Sequence, residues 1–226
     1  MGFPFPNPRY ERKFIAEGFT LAEALALVRR HRAAFREAFP PRIVNNIYLD
    51  SPSRTAYYDH INGCPRRVKH RVRWYGPLDG QILQPILERK FKSGSISGKD
   101  SHALAPFQLN GQPVRASLAV ALNTAALPEQ LRAELNHLTP CLLNRYHRHY
   151  FVSADRKFRL TVDSDFQFAA AHSPSAKISP GRPGLPSVVL EVKFDVQCAT
   201  HAELITDSLP MRLSRCSKFI LGIESL

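Results

Sequence analysis

Alternation with a period of two runs through most of the chain. In RYERKFIA (9–16), Arg9, Glu11 and Lys13 alternate with Tyr10, Arg12 and Phe14. RIVNNIYLD (42–50), RVKHRVRWYG (67–76), PILERKFKS (85–93), NRYHRHYFV (144–152), RKFRLTVDSDF (156–166) and SVVLEVKFD (187–195) have the same character. Successive side chains of a strand point to opposite faces. These seven runs therefore read as strands, and FQFAAA (166–171) reads as an eighth. Helical spacing is rarer. TLAEALALVRRHRAAFREAF (20–39) combines an apolar stripe with a Thr20/Glu23 capping pattern, LPEQLRAELNHL (127–138) opens on Pro128, and THAELITDSL (200–209) has a second Thr-x-x-Glu start. SGSISGKDS (93–101) and HSPSAKISPGRPGLPS (172–187) read as loops. Helices fall between groups of strands and not after each one, which predicts an α+β fold with an antiparallel sheet. No repeat or change of composition divides the 226 residues, so one domain, 1–226, is expected.

One strand face is charged in run after run. Arg67, Lys69, Arg71 and Arg73 share a face, as do Glu88, Lys90 and Lys92, and as do Arg159, Thr161 and Asp163. The same parity groups Glu191 with Lys193, and Arg145 with His147 and His149. Two architectures fit. An open sheet would turn this face to water. A closed barrel would turn it inward, and a cationic interior must then hold water and an anion, because uncompensated buried charge is costly. Patterning alone favours the open sheet slightly.

Composition and spacing shift that balance. The net charge of +12 points to a polyanionic partner. The charged faces carry arginine repeatedly, the residue suited to bidentate phosphate binding. Glu11/Lys13, Glu88/Lys90 and Glu191/Lys193 repeat one Glu-x-Lys spacing on three strands. Each pair sets a carboxylate beside an ammonium, the mixture that phosphate chemistry with a divalent metal needs. Few base-stacking aromatics lie on the basic faces, so nucleic acid is not the expected partner. There is no signal-peptide pattern at the start, no membrane-length apolar run and no CxxC among Cys64, Cys141, Cys198 and Cys216. A cytoplasmic protein with reduced cysteines is the expectation.

In order along the chain, RYERKF, YLDSP, RVRWYG, LERKFKSG, NRYHRHYF, FRLTVDSD, LEVKF and SKFILG resemble the VTC domain, the polyphosphate-polymerase branch of the triphosphate tunnel metalloenzymes (the CYTH-like superfamily). The resemblance spans Arg9 to Gly222. It implies a closed antiparallel eight-stranded β-tunnel with a charged interior, flanked by helices. It also implies transfer of the γ-phosphate of ATP to growing polyphosphate, with a divalent metal, manganese first and magnesium second. Carried over by motif, the catalytic and phosphate-binding cations are Lys13, Arg71, Arg73, Lys90, Arg145, Arg159, Lys193 and Lys218, with Ser217 as a hydrogen-bonding partner. Glu191 is the main metal ligand; Glu11 and Glu88 are secondary candidates, for the metal or for orienting lysines. Lys99 of SGKDS is a candidate for a further family lysine. Partners implied are ATP or another triphosphate, polyphosphate and pyrophosphate, with any membrane partner separate. The hydrolases of the superfamily open on Glu-x-Glu-x-Lys. Here the stretch is Arg9-x-Glu11-x-Lys13, one carboxylate short, which favours the polymerase branch over a triphosphate hydrolase. The expected tunnel is open at both ends, so that a product chain can leave. A non-catalytic polyanion-binding protein is the remaining alternative.

Overall fold

A computed structural model of the chain describes residues 8–110, 114–171, 178–180 and 185–226. Most of the predicted loop 172–187 lies outside the described residues. Eight strands form the frame: β1 (Arg9–Ile15), β2 (Arg36–Asp50), β3 (Arg66–Tyr75), β4 (Ile86–Ser93), β5 (Ile96–Ala103), β6 (Thr139–Val152), β7 (Phe158–Ala170) and β8 (Val188–Asp195). Their order is β7-β8-β1-β5-β4-β3-β2-β6, and β6 pairs back onto β7. Every pairing in this circuit is antiparallel, so the sheet is a closed ring and not an open sheet. Closure satisfies both edges of every strand.

Six helices surround or enter the ring: α1 (Leu21–Arg29), α2 (Thr55–Ile61), α3 (Val114–Thr124), α4 (Glu129–Asn136), α5 (Ala199–Thr206) and α6 (Lys218–Glu224). Two apolar clusters lie outside. One packs α3 and α4, through Leu118 and Leu131, on Ile47, Val72, Trp74 and Leu87. The other packs α1 and α5, through Ala24, Val28 and Ala202, on Phe14, Leu160, Val162 and Leu190. These residues have the parity opposite to Arg71, Asp163 and Glu191, so the apolar face of each strand is outward and the charged face inward.

Several boundaries differ from the sequence reading. The 20–39 helix stops at Arg29, and Arg36 already belongs to β2. Between them Ala34 adopts a positive φ of 46°, which no helix accommodates. Its start is as expected: the Thr20 side chain accepts from the Glu23 amide, and Glu23 answers the Thr20 amide at 2.8 Å. The second Thr-x-x-Glu start is not a cap, for α5 begins at Ala199 without a side-chain hydrogen bond at its N-terminus. SGSISGKDS is not a loop but the turn and first part of β5, paired along β4. FQFAAA continues β7, past a left-handed residue at Asp165 (φ 55°), so the eighth ring strand is β5. Helices α2, α3 and α6 are absent from the sequence reading.

A third apolar cluster changes the expected tunnel. Val44, Tyr48, Leu142, Tyr146, Phe166, Phe168 and Val189 are inward-facing, and they pack around Phe219 and Ile220 of α6. The C-terminal helix therefore enters the ring and fills one end of its interior. The fit is close: a β-carbon built on Gly222 would lie 2.5 Å from a Leu142 methyl and 2.6 Å from Phe168. Within the closed ring, α6 packs beside the charged part of the interior.

Candidate functional site

The remaining interior is a cavity of about 990 Å³. Fourteen lysines and arginines line it against three glutamates, Glu11, Glu191 and Glu203. Arg67, Lys69, Arg71 and Arg73 all line it from β3, as their shared parity demands. Strand β1 holds β5 only through Arg9/Ser97 and Tyr10/Ile96, and further along its length pairs instead with Arg212–Leu213. That short pairing draws the following segment along the cavity wall and delivers Ser217 and Lys218 to it.

Four carboxylates organise these cations, in two ways. Glu88 is buried behind the lining, with Arg71 Nε at 2.7 Å, Lys99 Nζ at 2.6 Å and Arg73 Nη1 at 3.6 Å. Asp163 is fully buried and receives Arg148 through two bonds, at 2.6 and 2.7 Å, and Lys218 at 2.6 Å. Burial alone would raise its carboxyl pKa, but Arg148 and Lys218 hold it down at about 2. Glu88 is likewise held well below the usual carboxylate range, against its burial, by Arg71, Arg73 and Lys99. Both side chains are orienting anions. They fix the guanidinium and ammonium groups that face the cavity.

Glu11 and Glu191 line the cavity itself. Glu11 takes Lys90 Nζ at 2.7 Å; burial pushes its pKa up, but Lys90, Lys193 and Lys13 bring it down to about 2 against the opposing charge of Glu191. Glu191 has Lys193 at 3.2 Å, Arg148 at 3.7 Å and Lys13 at 3.9 Å. Although it is 4% exposed, its carboxylate accepts no hydrogen bond among the described residues. Burial would protonate it, yet Lys193, Lys13 and Lys90 keep it ionised. Burial lowers the pKa of Lys193 to about 8 despite Glu191 and Glu11 beside it.

Two ionised carboxylates sharing one cavity, one of them with uncommitted oxygens, fit a single divalent cation. Magnesium-like ions take one or two protein carboxylates and complete their shell with water and phosphate oxygens. Among the described residues no group of three or more His, Cys, Asp or Glu could enclose a metal without such help. Glu88 does not fit, since its oxygens are engaged by three cations away from the cavity.

Of the sequence-derived cations, Lys13, Arg71, Arg73, Lys90, Lys193 and Lys218 come together around the cavity with Ser217. Lys99 joins them from β5. Arg145 and Arg159 do not. Arg145 pairs with outward-facing Asn45 across β2, and Arg159 is exposed at the end of β7, outside the lining. The inward residues of β6 are Tyr146 and Arg148, so His147 and His149 also belong to the outer parity. Arg148, bridging Asp163 and Glu191, is the cation that sequence reasoning missed. Its signal was the period itself: counting from buried Leu142 places 144, 146 and 148 on one face.

Comparison with known proteins fits this geometry. The family model of the VTC domain matches residues 8–226. The chain belongs to the VTC-domain family. Solved structures share the fold at low identity. A candidate adenylate cyclase from Vibrio parahaemolyticus superposes with a TM-score of 0.55 and 12% identity, over 94% of this chain and 97% of that one. A protein from Pyrococcus horikoshii OT3 gives 0.52 and 14%, over 96% and 98%. A candidate adenylyl cyclase from Hippeastrum, described as having a dominant triphosphatase activity, gives 0.52 and 13%, over 96% and 95%. No curated protein matches the sequence. Among the described residues no helix is long and apolar enough to cross a membrane.

Proposed function

We propose that this VTC domain transfers the γ-phosphate of ATP to a growing polyphosphate chain in a reaction that depends on a divalent metal, manganese before magnesium. The observation that carries the reading is the cavity: fourteen cations against three glutamates, inside a closed ring of this family. Such an excess of positive charge suits a polyanion, and a bound triphosphate would offset part of it while a phosphate chain would offset more.

Phosphoryl transfer asks a protein for position and electrostatics more than for covalent chemistry. Arg71, Arg73 and Arg148 would clamp phosphate oxygens, and each is held rigid by Glu88 or Asp163 before the ligand arrives. Lys13, Lys90, Lys193 and Lys218 would neutralise the remaining oxygens from β1, β4, β8 and α6. Glu191, with Glu11, would hold the metal, which would supply charge stabilisation to the transferring phosphoryl group. The attacking oxygen comes from the end of the phosphate chain, so no protein nucleophile is required.

The same cavity suits hydrolysis of an inorganic triphosphate, the kind of activity named for the Hippeastrum protein. The product separates the two. Incubation with ATP and Mn²⁺, followed by electrophoresis, is expected to show long phosphate chains. Orthophosphate without chains would assign hydrolysis instead, and turnover of neither ATP nor triphosphate would leave a polyanion-binding protein.

A further inference from the structure

Most lysines of the cavity have a carboxylate partner. Lys69 has none. Its Nζ lies 3.2 Å from His60 Nδ1 on α2, 3.0 Å from Ser217 Oγ at the start of α6, and 5.0 Å from the centroid of the Phe219 ring. All three partners are neutral. The charged groups facing it have its own sign: Arg67 on β3, Lys90 and Lys92 across the ladder on β4, and Lys13 on β1. The carboxylates of the cavity wall stand beside other lysines, Glu11 at 2.7 Å from Lys90 and Glu191 at 3.2 Å from Lys193 and 3.9 Å from Lys13. Among the described residues an ammonium in this position has no paired counter-charge, and it is half-buried, so the charge is poorly compensated.

Resting on the reading of the cavity as a phosphate site, we propose that Lys69, seated between Ser217 and His60, is a proton-linked phosphate contact: a phosphate oxygen set against Nζ and Ser217 Oγ supplies the missing charge, and polyphosphate enters with uptake of one proton by this amine. The balance is simple. In the empty cavity Nζ is an amine; on filling it takes a proton from solvent and becomes an ammonium paired with phosphate. Burial, then Lys13, Lys90, Arg67 and Lys92, push the empty-state pKa down to about 6. His60 is pushed down to about 3, first by burial and then by a charged Lys69 and by Arg67, so once Lys69 carries the proton His60 stays neutral. Ligand favours the charged form, so affinity is highest below about pH 6. Above that, affinity falls by up to tenfold per pH unit until the pKa of the filled state is reached.

Titration calorimetry of the full chain with inorganic tripolyphosphate, in two buffers of different ionisation enthalpy at pH 7.5, measures the protons taken up. Comparison of the wild type with Lys69→Arg cancels protons moving on the ligand and elsewhere in the cavity. The wild type is expected to take up about one proton more than Lys69→Arg, which binds while permanently charged. Lys69→Met, which keeps an unbranched apolar stem over Phe219, is expected to lose the same proton and to bind more weakly. Equal uptake by the wild type and by either variant that binds overturns the assignment of Lys69 and leaves the phosphate site standing. Absence of tripolyphosphate binding by the wild type at millimolar concentration overturns both.

Discussion

Asp163 and Glu191 face inward from adjacent strands, and Arg148 reaches both. The Asp163 oxygens are saturated by short bonds, at 2.6 to 2.7 Å, and lie behind the cavity wall. Those of Glu191 meet cations only at 3.2 to 3.9 Å and lie on the wall. Glu88 resembles the first, while Glu11 lies on the wall with Glu191 but accepts from Lys90 at 2.7 and 3.0 Å. The difference teaches how a mostly cationic interior is kept both folded and useful. Saturated carboxylates compensate buried cations and fix their direction. Unsaturated ones leave capacity for a metal that arrives with phosphate.

Removing a saturated carboxylate should have the largest effect. Asp163→Asn leaves Arg148 and Lys218 buried beside a neutral amide. Breaking a buried pair in this way costs about 3–5 kcal/mol, because the remaining charge is uncompensated. Thermal denaturation should show a fall of roughly 10 °C in Tm. Tripolyphosphate should recover part of it, since ligand binding to the folded state stabilises by mass action. An unchanged Tm would show that Asp163 is not the anchor of these cations.

Glu191→Gln tests the other side of the comparison. The side chain keeps its shape and its cations stand farther off, at 3.2 to 3.9 Å, so stability should fall less than in Asp163→Asn. Metal-dependent turnover should fall by roughly 100-fold or more, while metal-free tripolyphosphate binding persists. Glu88→Gln should do the reverse, lowering stability before any specific loss of metal response. If Glu191→Gln retains full Mn²⁺-dependent activity, the metal is held elsewhere.

Acid should act on both classes together. Asp163 and Glu11 have folded pKa values of about 2, below their ordinary values of 3.8 and 4.5. A depressed carboxyl pKa stabilises the fold above the unfolded value and loses that contribution as pH falls through the folded one. Stability should therefore decline between about pH 4.5 and pH 2, as followed by the urea midpoint. In Asp163→Asn that decline should be shallower, because one of its sources is gone.

The sequence made the ring legible because period two survives wherever a strand has one apolar side against helices. Trp74 is on the outer wall as its parity requires, buried and edge-on to Phe107. What it hid was the helix inside the ring. α6 lays Phe219 and Ile220 against inward-facing Val44, Leu142 and Phe168, so this end of the ring is apolar on both faces. Alternation then no longer separates inside from outside, and SKFILG alone is too short to declare a helix. On β6 the same loss of contrast placed charged Arg145 inward and aromatic Tyr146 outward, the reverse of what the structure has. The register shift between Arg145 and His147 lies on the β7 side, where Gln167 to Ser164 takes up one extra residue, so β6 keeps its own parity and β7 exchanges faces there. α2 was hidden differently: its N-terminus is capped from a distance, with Asp50 accepting from the Ala56 and Tyr57 amides, and Arg54 carries a positive φ of 56°.

The smallest expected effect tests that reversal. Arg145 lies beside Asn45 on the outer face and takes no part in the lining. Arg145→Ala should change stability by no more than about 0.5 kcal/mol, the ordinary range for a substitution away from packed or paired features. Its affinity for tripolyphosphate should stay within about twofold of the wild type, since solvent screens an outer charge from a ligand inside the ring. Arg71→Ala, by contrast, removes a cavity guanidinium and leaves Glu88 short of its nearest partner, so binding and stability should both fall. If Arg145→Ala instead weakens binding as much as Arg71→Ala, β6 presents its other face to the ligand, and Arg148 loses its place between Asp163 and Glu191.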